Sequence, residues 1–450
     1  MSSPYLNPEP KISETVTSQF KKEKMSYTYA GHNYKRIPST ITPTTPGLGS
    51  KWVFDYTFAE GTRVDWSKAK FVVKYKTLTY TSADPYTYNY LTGAVSAGGV
   101  TAGFAPGMFP EAQFSEAKYS INYKPVYENS FPAETAMCRA MVDGNALDSQ
   151  AMNGIMPYDG SGETAVDSRI ADSSADTMIA KRKNHLIATK SIVVPVKSLI
   201  PMLGSPEPYY RKGKHHFELQ YMQEEQYFLH RAGYTTLALD YEIYLILPEC
   251  ELSNVAQKAI LPYEPQPVIQ GFTDVEMVIE SVPVGVRRFK VHTQAQNVSK
   301  IAIYVEDLPF ATTYVASGKG YATNKISASN AEITSVKMKC GSFTFDTDEL
   351  LQEEGDRVLN SWMLTRSAQN PHIVPYITEQ TFRNMPILVI DLLKYGWDEK
   401  QYLLYGEGSL DIAVELSATT TTAPTNVNIG VFKSELHVIN EEGKEKALEG

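Results

Sequence analysis

Histidines are the residues of this sequence that most readily suggest a metal site. His215 and His216 are adjacent at the start of a predicted strand, and His230 follows them. Neighbouring residues of a strand point to opposite faces, so one ion cannot easily bind both members of the pair. We therefore predict strand-edge histidines and no metal site.

Acidic residues form two further groups with possible chemistry. Asp346, Asp348 and Glu349 resemble a fragment of a calcium loop, but the glycine and the distant glutamate of such a loop are missing. Their expected role is to cap a helix and to favour its positive end. Asp240 and Glu242 share one face of a predicted strand, which in an antiparallel sheet is ordinarily the solvent face and not a glycosidase pair.

The remaining candidate motifs also point away from catalysis. The short run 318–320 (Gly-Lys-Gly) is too brief for a phosphate loop and does not join a strand to a helix. The sequence lacks Gly-x-Ser-x-Gly and His-Glu-x-x-His, and Cys138, Cys250 and Cys340 are far apart without CxxC spacing. We predict no enzyme, no catalytic residue, no cofactor and no disulfide framework, which favours a reducing compartment.

Length and composition indicate two packed domains. The chain has 450 residues, of which 42% are hydrophobic and 21% charged. Its net charge of −9 argues against a general nucleic-acid binder, which would carry a basic excess. The 29 tyrosines suit sheets with large half-exposed or interface surfaces. We expect neither a membrane-spanning helix nor a secretory signal.

Period-two alternation of apolar residues predicts strands along most of the chain. The predicted strands lie near 52–58, 70–80, 114–127, 191–200, 217–221, 239–247, 272–279, 288–293, 299–305, 332–340, 342–345, 382–392, 409–416 and 427–439. One helix is predicted over 132–147. A second follows Asp346, with one apolar face made of Leu351, Val358, Leu359, Trp362 and Met363. The loops 81–110, 151–183 and 309–330 are long and are expected to carry subunit contacts.

Composition also divides the chain into segments. Residues 1–45 have little apolar periodicity and read as an N-terminal arm, whose basic residues are Lys21, Lys22, Lys24, Lys35 and Arg36. The proline-rich stretch 253–267 reads as a linker. The first domain is then predicted over 46–252 and the second over 268–440, with a charged tail at 441–450.

The last three strands of each half repeat with one spacing. Leu199 and Leu392 are 193 positions apart (392 − 199), and Phe217 and Leu410 keep the same offset. The strand after them keeps it too, which favours an internal duplication over coincidence. Eight short antiparallel strands in each half fit a sandwich of two Greek keys. The predicted fold class is therefore all-β, with two tandem eight-stranded jelly rolls and short inserted helices.

Three stretches resemble a known family. Phe114–Val126 is similar to a strand with a leading aromatic residue, an Asn, a small turn and a Val; Phe131–Gln150 is similar to the helix that follows; Ser191–Ile200 resembles a Val-Pro-Leu-x-x-Leu-Phe strand. These are segments of the double jelly-roll major capsid proteins of DNA viruses, the lineage of adenovirus hexon, tectiviruses, virophages, Polinton-like viruses and adintoviruses. Tyr123 stands where Gly is usual, and Ile200 where Phe is usual.

The resemblance implies a function. It implies a viral major capsid protein that forms pseudo-hexagonal homotrimers tiling an icosahedral shell, located in the virion after synthesis in the host cytoplasm or nucleus. It further implies contacts between trimers and with penton and minor capsid proteins, and an arm that contacts packaged DNA or an internal membrane. The alternative interpretation from the residues is a two-domain β-sandwich that binds or processes carbohydrate.

Overall fold

The structure is a computed structural model. It describes residues 29–57, 62–82, 87–96, 105–107, 109–142, 178–204, 213–223, 227–229, 234–253, 268–283, 285–294, 298–307, 333–353, 355–371, 387–396, 409–417, 425–440 and 443–447. His230, the run 318–320, the loop 309–330 and most of the predicted linker lie outside the described residues.

Strands account for most of the described first half. In chain order they are β1 Tyr29–Pro38, β2 Lys51–Thr57, β3 Thr62–Val64, β4 Lys70–Ser82, β5 Thr87–Asn89, β6 Val95–Ser96, β7 Ala105–Pro106, β8 Phe114–Ile121, β9 Lys124–Asn129, β10 Ser191–Pro195, β11 Lys214–Tyr221, β12 Phe228–Leu229 and β13 Tyr234–Leu252. Their burial alternates as their sequence does; β11, for example, buries every second residue from His215 to Tyr221.

The second half is also built mostly of strands, with fewer short extra strands among the described residues than the first half has. Its strands are β14 Val268–Val282, β15 Arg288–Gln294, β16 Val298–Asp307, β17 Ile333–Cys340, β18 Phe343–Asp346, β19 Leu388–Asp391, β20 Ser409–Leu416, β21 Thr425–Asn440 and β22 Gly443–Ala447.

Helices are short and inserted between strands. The described α-helices are α1 Pro132–Val142, α2 Met178–Thr189, α3 Val196–Leu199, α4 Asp348–Leu351 and α5 Arg357–Ala368, and the described 3-10 helices are Trp66–Lys68, Pro110–Gln113, Pro201–Gly204 and Leu392–Tyr395. Within the described ranges, no helix has the length and apolar character needed to cross a membrane.

Both halves use one strand order. Naming the eight principal strands B to I, they are β1, β2, β4, β8, β9, β10, β11 and β13 in the first half and β14 to β21 in the second. In each half, one sheet has the order B-I-D-G and the other C-H-E-F, and the pairs are antiparallel. This is the strand order of a jelly roll, so the prediction of two tandem eight-stranded jelly rolls is confirmed. We call them the first and second roll, and their sheets BIDG and CHEF.

Each roll has its own core between its two sheets. The first core is rich in aromatic side chains, and the second is mostly aliphatic. In the first, the hydroxyls of Tyr75 and Tyr221 lie 2.9 Å apart, and that of Tyr75 donates to Gln113 at 2.5 Å. These and other tyrosines are buried in the core, whereas composition suggested half-exposed surfaces. Burial raises the pKa of Tyr75 far above its usual value.

The predicted N-terminal arm is wrong in its extent. Residues Tyr29–Pro38 form strand B of the first roll and pair with β13 from Leu252 to Tyr244. Lys35 and Arg36 belong to this sheet and face Glu249 and Glu242 at 3.5 and 3.4 Å. The strand escaped prediction because it lies at a sheet edge with most of its described side chains exposed, so it lacks apolar alternation. Residues 1–28 lie outside the described ranges.

Other predicted boundaries also change. The tail predicted at 441–450 contains β22, which pairs with β21. The loop 81–110 contains β5, β6 and β7, and α2 begins within the loop predicted over 151–183. The second-half helix is broken into α4 and α5, and Leu359 and Met363 of its predicted apolar face are exposed.

The two halves repeat the same strands, but no single offset in residue number relates all of their equivalent residues. Leu199 and Leu392 both follow strand G, and Phe217 and Leu410 both lie in strand H. The two rolls can also be aligned on the two-residue turns that join strands E and F. In that alignment strand H differs by two positions from the predicted offset. Phe217 pairs with Tyr119, which lies two residues before Ile121, the last residue of strand E in the first roll. Ile412 takes the corresponding position, opposite Met338. A two-residue shift keeps every side chain of strand H on its face. The predicted offset is wrong for strand I, where Leu239 packs against the first core but Phe432, 193 positions later (432 − 239), lies on the outer face of its sheet.

Candidate assembly surfaces

The two adjacent histidines point to opposite faces of strand H, as their spacing predicts. His215 is fully buried, and its Nδ1 lies 2.7 Å from the Tyr119 hydroxyl. His216 lies on the other face, with Nδ1 2.8 Å from Asp55 and Nε2 3.1 Å from Glu218. Among the described residues, no three His, Cys, Asp or Glu side chains converge as a metal site would require.

A second histidine–aspartate pair occupies the matching ladder position of the second roll. His292 of strand C lies 2.7 Å from Asp411 of strand H. In the first roll the aspartate, Asp55, is on strand C and the histidine is on strand H. The hydrogen bond from His292 lowers the pKa of Asp411. Burial acts to raise the pKa of Asp55, but its hydrogen bonds with His216 and Lys214 outweigh this and lower it.

The other candidate residues have structural partners. The carboxylate of Asp346 accepts a hydrogen bond from the backbone N–H of Asp348 at 2.8 Å, at the start of α4. Glu242 lies near Arg36 and Lys76 on the outer face of the first BIDG sheet, at 3.4 and 3.8 Å. All three cysteines are buried. These contacts fit capping and surface pairing.

The two rolls are joined by a buried contact surface. A third hydrophobic cluster lies there, separate from the two cores. The first roll contributes Phe109 and the helix α1, and the second contributes the outer face of its BIDG sheet and Ala368 of α5. The buried members on the sheet side are Val275, Ala302, Tyr304, Ile387, Val389 and Phe432. Helix α1 is consequently buried on almost every side, between its own roll and the other.

Close approach of α1 depends on a glycine in strand I. A Cβ atom placed on Gly430 would come 2.8 Å from Cys138 Sγ and 3.2 Å from Val275 Cγ1. Gly430 therefore leaves the space that Cys138 fills. Burial raises the pKa of the Cys138 thiol to about 12, so it is a packing residue and not a thiolate.

Polar contacts fix the relative position of the rolls. Arg139 of α1 donates from Nη2 to Asp274 of β14 at 2.7 Å and from Nη1 to the Ser198 carbonyl at 3.3 Å. The Tyr127 hydroxyl of β9 donates to the same Asp274 carboxylate at 2.8 Å. Burial raises the pKa of Tyr127, which keeps it a hydrogen-bond donor. A half-buried pair of this kind specifies orientation more than it adds stability.

Solved structures show the same arrangement of two rolls. A chain of the Sputnik virophage solved by cryo-electron microscopy is 11% identical, with a TM-score of 0.60 over 93% of this chain and 88% of that one. The mavirus major capsid protein is 11% identical, with a TM-score of 0.57 over 98% and 94%. The chain has the double jelly-roll fold. The double jelly roll of a PBCV-1 capsid chain is similar too, at 9% identity and a TM-score of 0.52 over 93% and 98%. No family profile and no curated protein sequence matches this double jelly roll.

Sequence reasoning missed the residues that join the two rolls. Arg139, Asp274 and Gly430 carry no motif, and their partners are distant in sequence. A signal was present in α1, where Ala133, Ala136 and Ala140 make a helix of small residues that permits close packing on two sides. Which surface would cover it depends on tertiary structure.

Proposed function

We propose that this chain is a major capsid protein of a DNA virus and that three copies form a pseudo-hexagonal capsomer. The observation that carries the proposal is that two rolls of one strand order pack side by side in a single chain. Three such chains in a ring would present six similar units. Cyclic closure of this kind is a common arrangement of homo-oligomers.

The likeness in fold to the mavirus major capsid protein supports the same proposal. Such capsomers would tile an icosahedral shell through contacts between trimers. The role is structural and assigns no catalytic residue, metal or cofactor to the chain. Its place is the virion capsid, after synthesis in the host cytoplasm or nucleus.

Further partners belong to the proposal as well. Trimers would contact penton and minor capsid proteins at the edges of the lattice. Residues 1–28, with Lys21, Lys22 and Lys24, would contact packaged DNA or an internal membrane. Each lysine near an anionic surface contributes about 1 kcal/mol, which salt screens.

The test is the mass and outline of the purified chain. Light scattering should give three times the chain mass of 50.2 kDa, and electron microscopy should show particles with a hexagonal outline. A glycan-binding array should show no specific ligand. A monomer that binds sugars would instead favour a two-domain carbohydrate-binding or glycoside-processing protein.

A further inference from the structure

Helices α1 and α4–α5 occupy the same place in their rolls but differ in cover. Each begins directly after strand F and precedes strand G. Helix α1 is covered by its own roll and by the second roll, which leaves almost none of it exposed. Helix α5 is buried on the side of Leu364, Thr365 and Ala368, and its Val358 and Trp362 are partly buried against the third cluster. Its other side exposes Leu359 and Met363, at 44% and 60%.

The exposed residues on this side of α5 form an apolar stripe. Leu359 and Met363 are four residues apart and therefore adjacent on one helix face. Met363 is also the seventh residue of α5, as Cys138 is the seventh residue of α1. By this count it corresponds to the side chain that α1 presents to the second roll.

The first roll carries the counterpart of the surface that α1 covers. The two BIDG sheets can be aligned on the last residues of their G strands, Pro195 and Asp391. The residue pairs between G and D, and between D and I, then correspond in the two sheets. The outward residues Val193, Val72, Tyr244 and Ile246 then correspond in order to Val389, Ala302, Gly430 and Phe432. We call these four first-roll residues the open face. Val193, Tyr244 and Ile246 are only half-buried.

Charge around the two surfaces is complementary. Next to the open face, strand D presents Lys70, Lys74 and Lys76 outward, and β1 adds Arg36, whose guanidinium lies 3.9 Å from the centre of the Tyr244 ring. Glu242 pairs with Arg36 and Lys76 at 3.4 and 3.8 Å, so Lys70 and Lys74 supply the basic excess beside this face. Near the start of α5, Glu349, Glu353 and Asp356 are exposed. Complementary charges at the rim of a contact favour association and fix its register.

We propose that the Leu359–Met363 stripe of one copy packs on the open face of a second copy, repeating between chains the contact that α1 makes within the chain. The inference rests on the proposed function, because it supposes that copies assemble. A contact of two different surfaces forms a closed ring where its rotation closes, and in a ring of three chains first and second rolls would alternate. Tyr244 stands where the second roll has Gly430, so α5 packs farther from this sheet than α1 does from its own.

The first test is a charged double variant, Leu359→Lys with Met363→Lys, in the full chain. A buried unpaired charge strongly disfavours a contact, and these lysines would also face the lysines beside the open face, so the concentration at half-dissociation of the trimer should rise at least about tenfold. Val286→Lys is the matched control, because Val286 is 39% exposed in the turn between β14 and β15 of the same roll. Circular dichroism checks that both variants stay folded.

The second test is a cross-link that mirrors the contact of Cys138 with Gly430. Chains carrying Met363→Cys are coexpressed with chains carrying Tyr244→Cys and oxidised. The native cysteines are buried and do not interfere. A covalent dimer should form in the mixture and not with either variant alone.

The outcomes separate the two proposals. A trimeric wild type, a dissociated double variant and the mixed cross-link support the inference. A trimeric wild type whose double variant remains a trimer and whose mixture gives no cross-link overturns the inference but leaves the capsomer standing. A monomeric wild type overturns both. If the double variant misfolds, the cross-link alone decides.

Discussion

Replacing Gly430 by alanine tests the close packing of α1 on the second roll. The added Cβ would lie 2.8 Å from Cys138 Sγ, closer than such atoms can approach, so the helix or the strand must move. Overpacking of this kind costs about 1–3 kcal/mol. Removing a glycine from a strand returns about 0.5–1 kcal/mol. We therefore expect Gly430→Ala to lower the free energy of unfolding by about 1–2 kcal/mol.

The companion substitution Cys138→Ala removes the clashing sulfur. Alone it should cost about 1 kcal/mol, because a buried side chain is shortened. Combined with Gly430→Ala it should cost less than the sum, since the two Cβ atoms would then be 3.3 Å apart and need only a small shift. The expected coupling energy is at least about 1 kcal/mol in a double-mutant cycle measured by urea unfolding.

Gly355→Ala serves as the control. Gly355 is exposed and has nothing within 4 Å of an added Cβ, so its substitution should change stability little. If Gly430→Ala were as stable as the wild type, or if the double variant were additive, the contact between α1 and strand I would not be as close as described.

Three further predictions concern acid stability, the N-terminus and a turn. The lowered pKa of Asp411 means that its ionised form stabilises the fold above its unfolded pKa of about 4 and that this contribution is lost as pH falls through the folded value; Asp411→Asn should flatten the decline in stability below about pH 5 in urea unfolding, and an unchanged slope would contradict this. Removing residues 1–28 should leave the fold intact. Removing 1–40 deletes β1 with its buried Ile37 and should lower the free energy of unfolding by at least about 2 kcal/mol in thermal and urea unfolding. Equal stability of the two truncations would refute the role of β1. Tyr123 has φ 63° in the turn between β8 and β9. Tyr123→Gly should therefore stabilise the fold by about 0.5–1 kcal/mol, reduced by the contribution of the exposed contact between Tyr123 and Lys214. A lower melting temperature would oppose this account.

Much of the fold could be predicted from local pattern. Strands such as β11 and β20 alternate apolar and polar residues because one face meets the core and the other does not, and this period is visible without a structure. The expectation of Gly at position 123 also has a local reason, since the turn there requires positive φ. The prolines before β14 separated the two halves.

The assembly surfaces could not be predicted in this way. Leu359 and Met363 were assigned to one apolar face, but both are exposed, because helical spacing shows which residues share a face and not which face is covered. The strand β1 was missed because an edge strand need not alternate.

The sequence by itself determined two similar all-β units, since strand periodicity and turn chemistry are local properties. Only tertiary structure decided how the units meet. The contacts of Cys138 with Gly430 and of Arg139 with Asp274 join residues far apart in the chain. Their energy depends on shape and distance, which residue types alone do not encode.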